Sequence, residues 1–96
     1  MEPVKLLLED DGNGMFYIME EGESLGEMKI KIDGNELCAE HTEVLPKAEG
    51  KGLGKQLFDA MIAYTREKGL KLKAMCPFVH ARLKKNAEAY QDVWDN

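Results

Sequence analysis

The chain has 96 residues, 44% hydrophobic and 32% charged, with a formal net charge of −5, which supports one folded domain with a small core and excludes a disordered or fibrous chain. No apolar run approaches a membrane span, and Met1-Glu2-Pro3-Val4-Lys5 lacks the basic region and apolar block of a secretory signal. A cytoplasmic protein is therefore expected, with the only two cysteines, Cys38 and Cys76, reduced rather than paired.

In chain order, Val4 to Glu9 reads as a strand. Asp10-Asp11-Gly12-Asn13-Gly14 is a turn, and Met15 to Glu20 is the next strand of a hairpin. Glu21-Gly22-Glu23 turns again. From Leu25 to Ile32, Met28, Ile30 and Ile32 take one face and Lys29 and Lys31 the other, the period of a half-buried antiparallel strand. Asp33-Gly34-Asn35 turns into a fourth strand, Glu36 to Val44. The first half is thus a four-stranded meander.

The period then changes. Leu53, Leu57, Phe58, Met61, Ile62 and Tyr64/Thr65 recur at helical spacing, with Lys55, Asp59, Arg66 and Glu67 opposite, which predicts an amphipathic helix of about five turns. Gly69 fits its C-terminal cap. Leu70 to Met75 reads as a fifth strand. Pro77 opens a shorter helix carrying Phe78, Val79 and Leu83, and residues 87–96 read as a further helical segment ending in Trp94. The order β-β-β-β-α-β-α makes the fourth and fifth strands parallel neighbours across a crossover, in a mixed sheet packed on the long helix. The fold class is α+β, a single domain over 1–96.

Charge is uneven along this order. Residues 1–50 hold 13 acids and 4 bases; residues 51–96 hold 5 acids and 9 bases. The basic half favours an anionic ligand, and the acidic half a cationic partner such as an amine. Net acidity without aromatic–basic interleaving argues against nucleic acid.

The stretch from Glu40 to Lys55 concentrates the chemistry. Gly50, Gly52 and Gly54 alternate at a strand-to-helix junction beside Lys51 and Lys55, leaving backbone N–H groups open to a phosphate. The spacing is neither a Walker A loop, since Gln56 stands where Ser or Thr is needed, nor the dinucleotide fingerprint, since Lys55 replaces the third glycine.

The strand followed by Val44-x-Pro46-x-x-x-Gly50-x-Gly52-Leu53-Gly54 and a helix resembles motif A of the GNAT superfamily of acetyl-CoA-dependent N-acetyltransferases. The resemblance covers residues 15–86 in element order and 40–58 at motif level. His41-Thr42 before the loop and Cys76-Pro77-Phe78-Val79 after the fifth strand are similar to segments of a group of very short GNAT-like proteins. This resemblance implies acetyl-CoA as acyl donor and an amine acceptor, small-molecule or protein. Glu43 and Val44 would pair with the pantetheine amides through their backbone. Gly50, Lys51, Gly52, Leu53, Gly54 and Lys55 would hold the pyrophosphate. The thioester would lie where the fourth and fifth strands splay. Three departures stand out: Glu49 occupies a position usually Arg or Gln, Phe78-x-x-Ala81 replaces Asn-x-x-Ala, and Lys85 stands where the thiolate-protonating Tyr is expected.

Two residues are candidates for catalysis. Cys76 stands just before Pro77 at a helix start, a position that favours the nucleophilic thiolate. His41 alternates with Leu37 and Ala39, so it is expected on their face, near the strand end, as a general base toward Cys76 or the incoming amine. Glu40 and Glu43 are alternative bases. Cys38 reads as packing and His80 as surface or supporting. No residues have metal-ligand spacing, so no metal is expected. The functional alternatives are an acyltransferase, with or without passage through Cys76, a CoA-binding module without catalysis, and a structural α/β domain with no cofactor.

Overall fold

The computed structural model describes residues 3–94. Its sheet begins with an antiparallel meander of β1 (Lys5–Leu8), β2 (Asn13–Glu20), β3 (Glu23–Asp33) and β4 (Glu36–Val44). The long helix α1 (Leu53–Glu67) then crosses to β5 (Lys71–Ala74), which pairs parallel with β4, giving the order β1-β2-β3-β4-β5. A shorter helix, α2 (Pro77–Lys85), follows. The mixed sheet, the parallel fourth and fifth strands and the packed helix match the fold expected from the sequence.

Period-two patterning decides which face is covered. Phe16, Ile18, Met28, Ile30, Leu37, Ala39 and Leu72 are buried on one face, against both helices. The other face carries Lys5, Leu7, Met15, Tyr17, Lys29 and Cys38. Extents of 36 × 33 × 20 Å fit one sheet with one helical layer.

α1 supplies most of the helical core. Leu53, Leu57, Phe58, Met61 and Ile62 are buried along one stripe, and each large apolar side chain so placed contributes about 1.5–3 kcal/mol. Leu57→Ala at the fully buried centre should cost about 2–5 kcal/mol. Thr65, inside the same stripe, is satisfied because its hydroxyl donates to the Met61 carbonyl at 2.7 Å. The helix ends in a Schellman motif. Gly69 N–H donates to Arg66 O at 3.2 Å and Leu70 N–H to Thr65 O at 2.9 Å, which satisfies carbonyls the last turn would orphan.

Two expectations are corrected. α1 has 15 residues, which is about four turns rather than five, because Gly50 to Gly52 stay outside the helix. The segment after α2 is not one helix. It makes a 3-10 turn at Ala87–Tyr90, after which Leu72 N–H donates to Val93 O at 2.7 Å and Trp94 bridges Leu72 in parallel. Burial of Val93 and the unpaired side of β5 outweigh helical propensity there. The rest of the expected helical segment, residues 95 and 96, lies outside the described residues.

The C-terminal segment is tied to α1 by Arg66, whose Nε donates to Asp92 at 2.8 Å and whose Nη2 donates to Ala89 O at 2.7 Å. This pair holds the Asp92 carboxyl below its ordinary range, chiefly through the Arg66 hydrogen bond.

Candidate functional site

The site is built where β4 and β5 part. Their ladder runs from Glu36↔Lys71 to Ala39↔Ala74. The Ala39 carbonyl then accepts from both Met75 N–H at 3.0 Å and Cys76 N–H at 2.9 Å, and the ladder stops. From His41 to Val44, β4 pairs with β3 alone. One side of its backbone therefore borders a gap, where an extended chain bearing amides can pair as an added strand. Leu45 N–H donates to Leu25 O at 2.9 Å, so in alternation Glu43 turns its backbone to β3, while half-buried Val44 and Thr42 turn theirs to the gap. The expected backbone contact from Glu43 is thereby corrected to Thr42.

A bulge decides which side chains look into the core here. Lys29 pairs with His41 but Ile30 pairs with Ala39, so Glu40 is an extra residue with no opposite number. The extra residue reverses the alternation. Thr42, opposite fully buried Met28, takes over the face of Leu37 and Ala39, while His41, opposite exposed Lys29, is exposed on the other. The expectation that His41 shares the face of Leu37 and Ala39 is thereby corrected. Cys76 is 3% exposed, and its Sγ donates to Thr42 Oγ1 at 3.3 Å. The structure thus brings Cys76 to Thr42 and sets His41 on the opposite face.

Beside the gap, a cleft of about 370 Å³ opens at the start of α1. It is lined by Val44, Ala48, Glu49, Gly50, Gly52, Leu53, Gly54, Lys55, Phe78 and Arg82. Gly50 and Gly52 have φ of +83° and +77°, a conformation side chains rarely adopt, and no other atom lies within 4 Å of where a Cβ would stand. The first helical hydrogen bond runs from Gln56 N–H to Gly52 O. The N–H groups of Leu53, Gly54 and Lys55 are therefore outside the helix's own ladder and face its N-terminal end, with no side chain capping them. These donors, with the helix dipole, make a seat for an anion.

Charge around the seat is mixed. Lys55 stands on the rim and is held by Asp59 at 2.7 Å. Glu49 brings a negative charge into the lining, offset by Lys55 and Arg82. Lys51 is not part of this cleft. It lines a separate depression with Glu20, Glu21, Glu23 and Lys47. Phe78 and Arg82 were absent from the expected cofactor contacts. Their spacing of four places both on one face of α2 and was the available signal. The Arg82 guanidinium stacks 5.4 Å from the Phe58 ring centre and 5.7 Å from that of Phe78.

Cys38 and His80 do not line this cleft. Cys38 is half-buried, and burial, with Glu40 adding to it, raises its thiol above the ordinary 9.0. His80 meets Trp94 edge-on at 5.6 Å, and Tyr90 meets Phe58 edge-on at 5.4 Å. Among the described residues no group of three or more His, Cys, Asp or Glu is placed to hold a metal ion, and no helix is long and apolar enough to cross a membrane.

A sheet splayed beside a glycine-lined helix N-terminus defines a protein built to hold an extended ligand with an anionic group. Comparison makes the class specific. The profile of GCN5-related N-acetyl-transferases matches residues 15–93, and the chain belongs to that family. It is similar to a GCN5-like protein from Staphylococcus aureus solved by NMR, at 33% identity and TM-score 0.70, over 98% of this chain and 90% of that one. It shares its fold with the ribosomal-protein-S18-alanine N-acetyltransferase of Escherichia coli, at 18% identity and TM-score 0.63, over 69% of this chain and 43% of that one. An aminoglycoside N-acetyltransferase solved with CoA matches at 21% identity and TM-score 0.58, over 83% of this chain and 67% of that one. No curated protein matches the chain significantly by sequence.

Proposed function

We propose that this protein binds acetyl-CoA and passes its acetyl group to an amine. The observation that carries the reading is the junction of two features in one place: the free backbone side of β4 beyond Ala39 and the N–H seat at α1. The residues present fit the cofactor. Backbone groups of Val44 and Thr42, which face the gap, would pair with the pantetheine amides. Gly50 and residues Gly52 to Lys55 would meet the pyrophosphate, and Arg82 and Lys55 would offset its charge. Bound there, acetyl-CoA supplies an activated acyl group.

The chain's own groups then divide between two faces. Cys76, at the N-terminal end of α2 and beside the gap, is the candidate nucleophile for holding the acetyl group. His41, exposed on the other face, would take a proton from an amine arriving there rather than from Cys76. The acidic first half of the chain suits a cationic acceptor, and solved relatives of this fold include enzymes for an aminoglycoside and for a ribosomal protein.

A second reading, a CoA-binding module without catalysis, is favoured by one observation: the hydrogen-bond partner of Cys76 is Thr42 and not a base. Incubation with acetyl-CoA labelled in the acetyl group separates the two. Label retained on Cys76, or passed to an added amine, and lost in Cys76→Ala supports transfer. CoA binding with neither outcome supports the module. Failure of millimolar CoA to raise the melting temperature would sink both.

A further inference from the structure

The two edges of the sheet are treated differently. At β5 the outer edge is closed, since Leu72 N–H donates to Val93 O at 2.7 Å and Trp94 bridges the same residue. At β1 no described segment lies outside the strand. Natural sheets blunt such edges with charge, proline or bulges. β1 carries one such charge, Lys5, and beside it presents Leu6-Leu7-Leu8, with Leu7 at 55% and Leu8 at 44% exposure, two of only three large apolar residues so exposed among the described residues.

The direction of the free backbone groups is fixed. Glu9 N–H donates to Asn13 O at 2.8 Å, so Glu9 turns toward β2, and with it, in alternation, Leu7 and Lys5. Leu6 and Leu8 therefore point their N–H and C=O groups outward. The sequence around Leu7 is also complementary to itself when reversed: Lys5-Leu6-Leu7-Leu8-Glu9 carries a base two residues before the centre and an acid two residues after.

We propose that β1 pairs antiparallel with β1 of a second copy, about a two-fold axis at Leu7, joining two five-stranded sheets into one of ten strands. Leu6 then faces Leu8 of the second copy, and the outward backbone groups of both form hydrogen bonds. Leu7 meets Leu7 across the axis. Lys5 lies opposite Glu9 twice, as close non-hydrogen-bonded pairs with Cα atoms about 4.5 Å apart. Neither Lys5 nor Glu9 forms an ion pair among the described residues. The occupant is a second copy because β1 carries the reversed charge order that complements its own at every position. The four-residue length of the strand keeps the interface small and the association reversible.

Sedimentation equilibrium of the whole chain tests this, with fold checked by circular dichroism. The expected result is a dimer that forms reversibly as concentration rises, weakened by salt, with Leu6 and Leu8 amides gaining hydrogen-exchange protection on association. Leu7→Asp should leave a monomer. Lys5→Glu or Glu9→Lys alone should weaken association about tenfold, because symmetry repeats each like-charge pair, and Lys5→Glu with Glu9→Lys should restore it. A monomer at roughly 1 mM protein overturns the proposal. So does a dimer indifferent to Leu7→Asp, or a double reversal no tighter than the single ones.

Discussion

Gly54→Ala tests how the cleft wall is shaped. Gly54 is the second residue of α1, where alanine alone would gain at most about 1 kcal/mol of helix propensity. A Cβ there would stand 2.9 Å from Phe78 Cζ and 3.3 Å from Cε1, so the ring must move. Overpacking of this kind costs about 1–3 kcal/mol. Phe78 is half-buried and can yield, which keeps the cost near the middle of that range. The expected net loss is about 1 kcal/mol, or roughly 4–8 °C in melting temperature for a domain of this size. Phe78 also lines the cleft, so its displacement should reduce CoA affinity about tenfold, or about 1.4 kcal/mol. Urea denaturation gives the first quantity and calorimetric titration with CoA the second. Phe78→Ala combined with Gly54→Ala should recover the propensity gain relative to Phe78→Ala alone. The reasoning is refuted if Gly54→Ala stabilises by the full propensity gain and binds CoA unchanged.

Further outcomes follow from other parts of the structure. Gly52→Ala forces a side chain to φ +77° in open space, so it should cost about 1–2 kcal/mol through backbone strain alone, read by urea denaturation. Asp92 has a carboxyl pKa lowered in the folded state by Arg66, so its contribution is present above the ordinary 3.8 and is lost as pH falls below it; Asp92→Asn should lower stability at neutral pH and flatten the loss between pH 5 and 2 in melting curves. In Cys76→Ser, alkylation of Cys38 should rise with pH to a midpoint above 9.0, measured by iodoacetamide labelling; a midpoint below that value contradicts the burial of its thiol.

The elements were legible because their periods are clean. Met28, Ile30, Lys29 and Lys31 alternate as a strand must, and Leu53, Leu57, Met61 and Thr65 recur as a helix must. The glycines were legible as a break in the chain's pattern, and the structure sets Gly50 and Gly52 at positive φ beside a cleft. What escaped was a matter of one residue. The bulge at Glu40 carries no glycine or proline to mark it, yet it inverts every side chain after it in β4, exchanging His41 for Thr42 beside Cys76. Phe78 and Arg82 escaped for another reason: they join the cleft from a separate helix, through packing on Gly54 and Phe58. Val93 and Trp94 were read as helical because their role, closing the edge of β5, is a long-range pairing that local propensity does not express.

That closure also acts as a guard. Without residues Val93 and Trp94, the outward N–H of Leu72 would be an open template for a strand of another chain. Chains ending at Tyr90 should therefore associate more readily than chains that include Trp94, an outcome light scattering can follow.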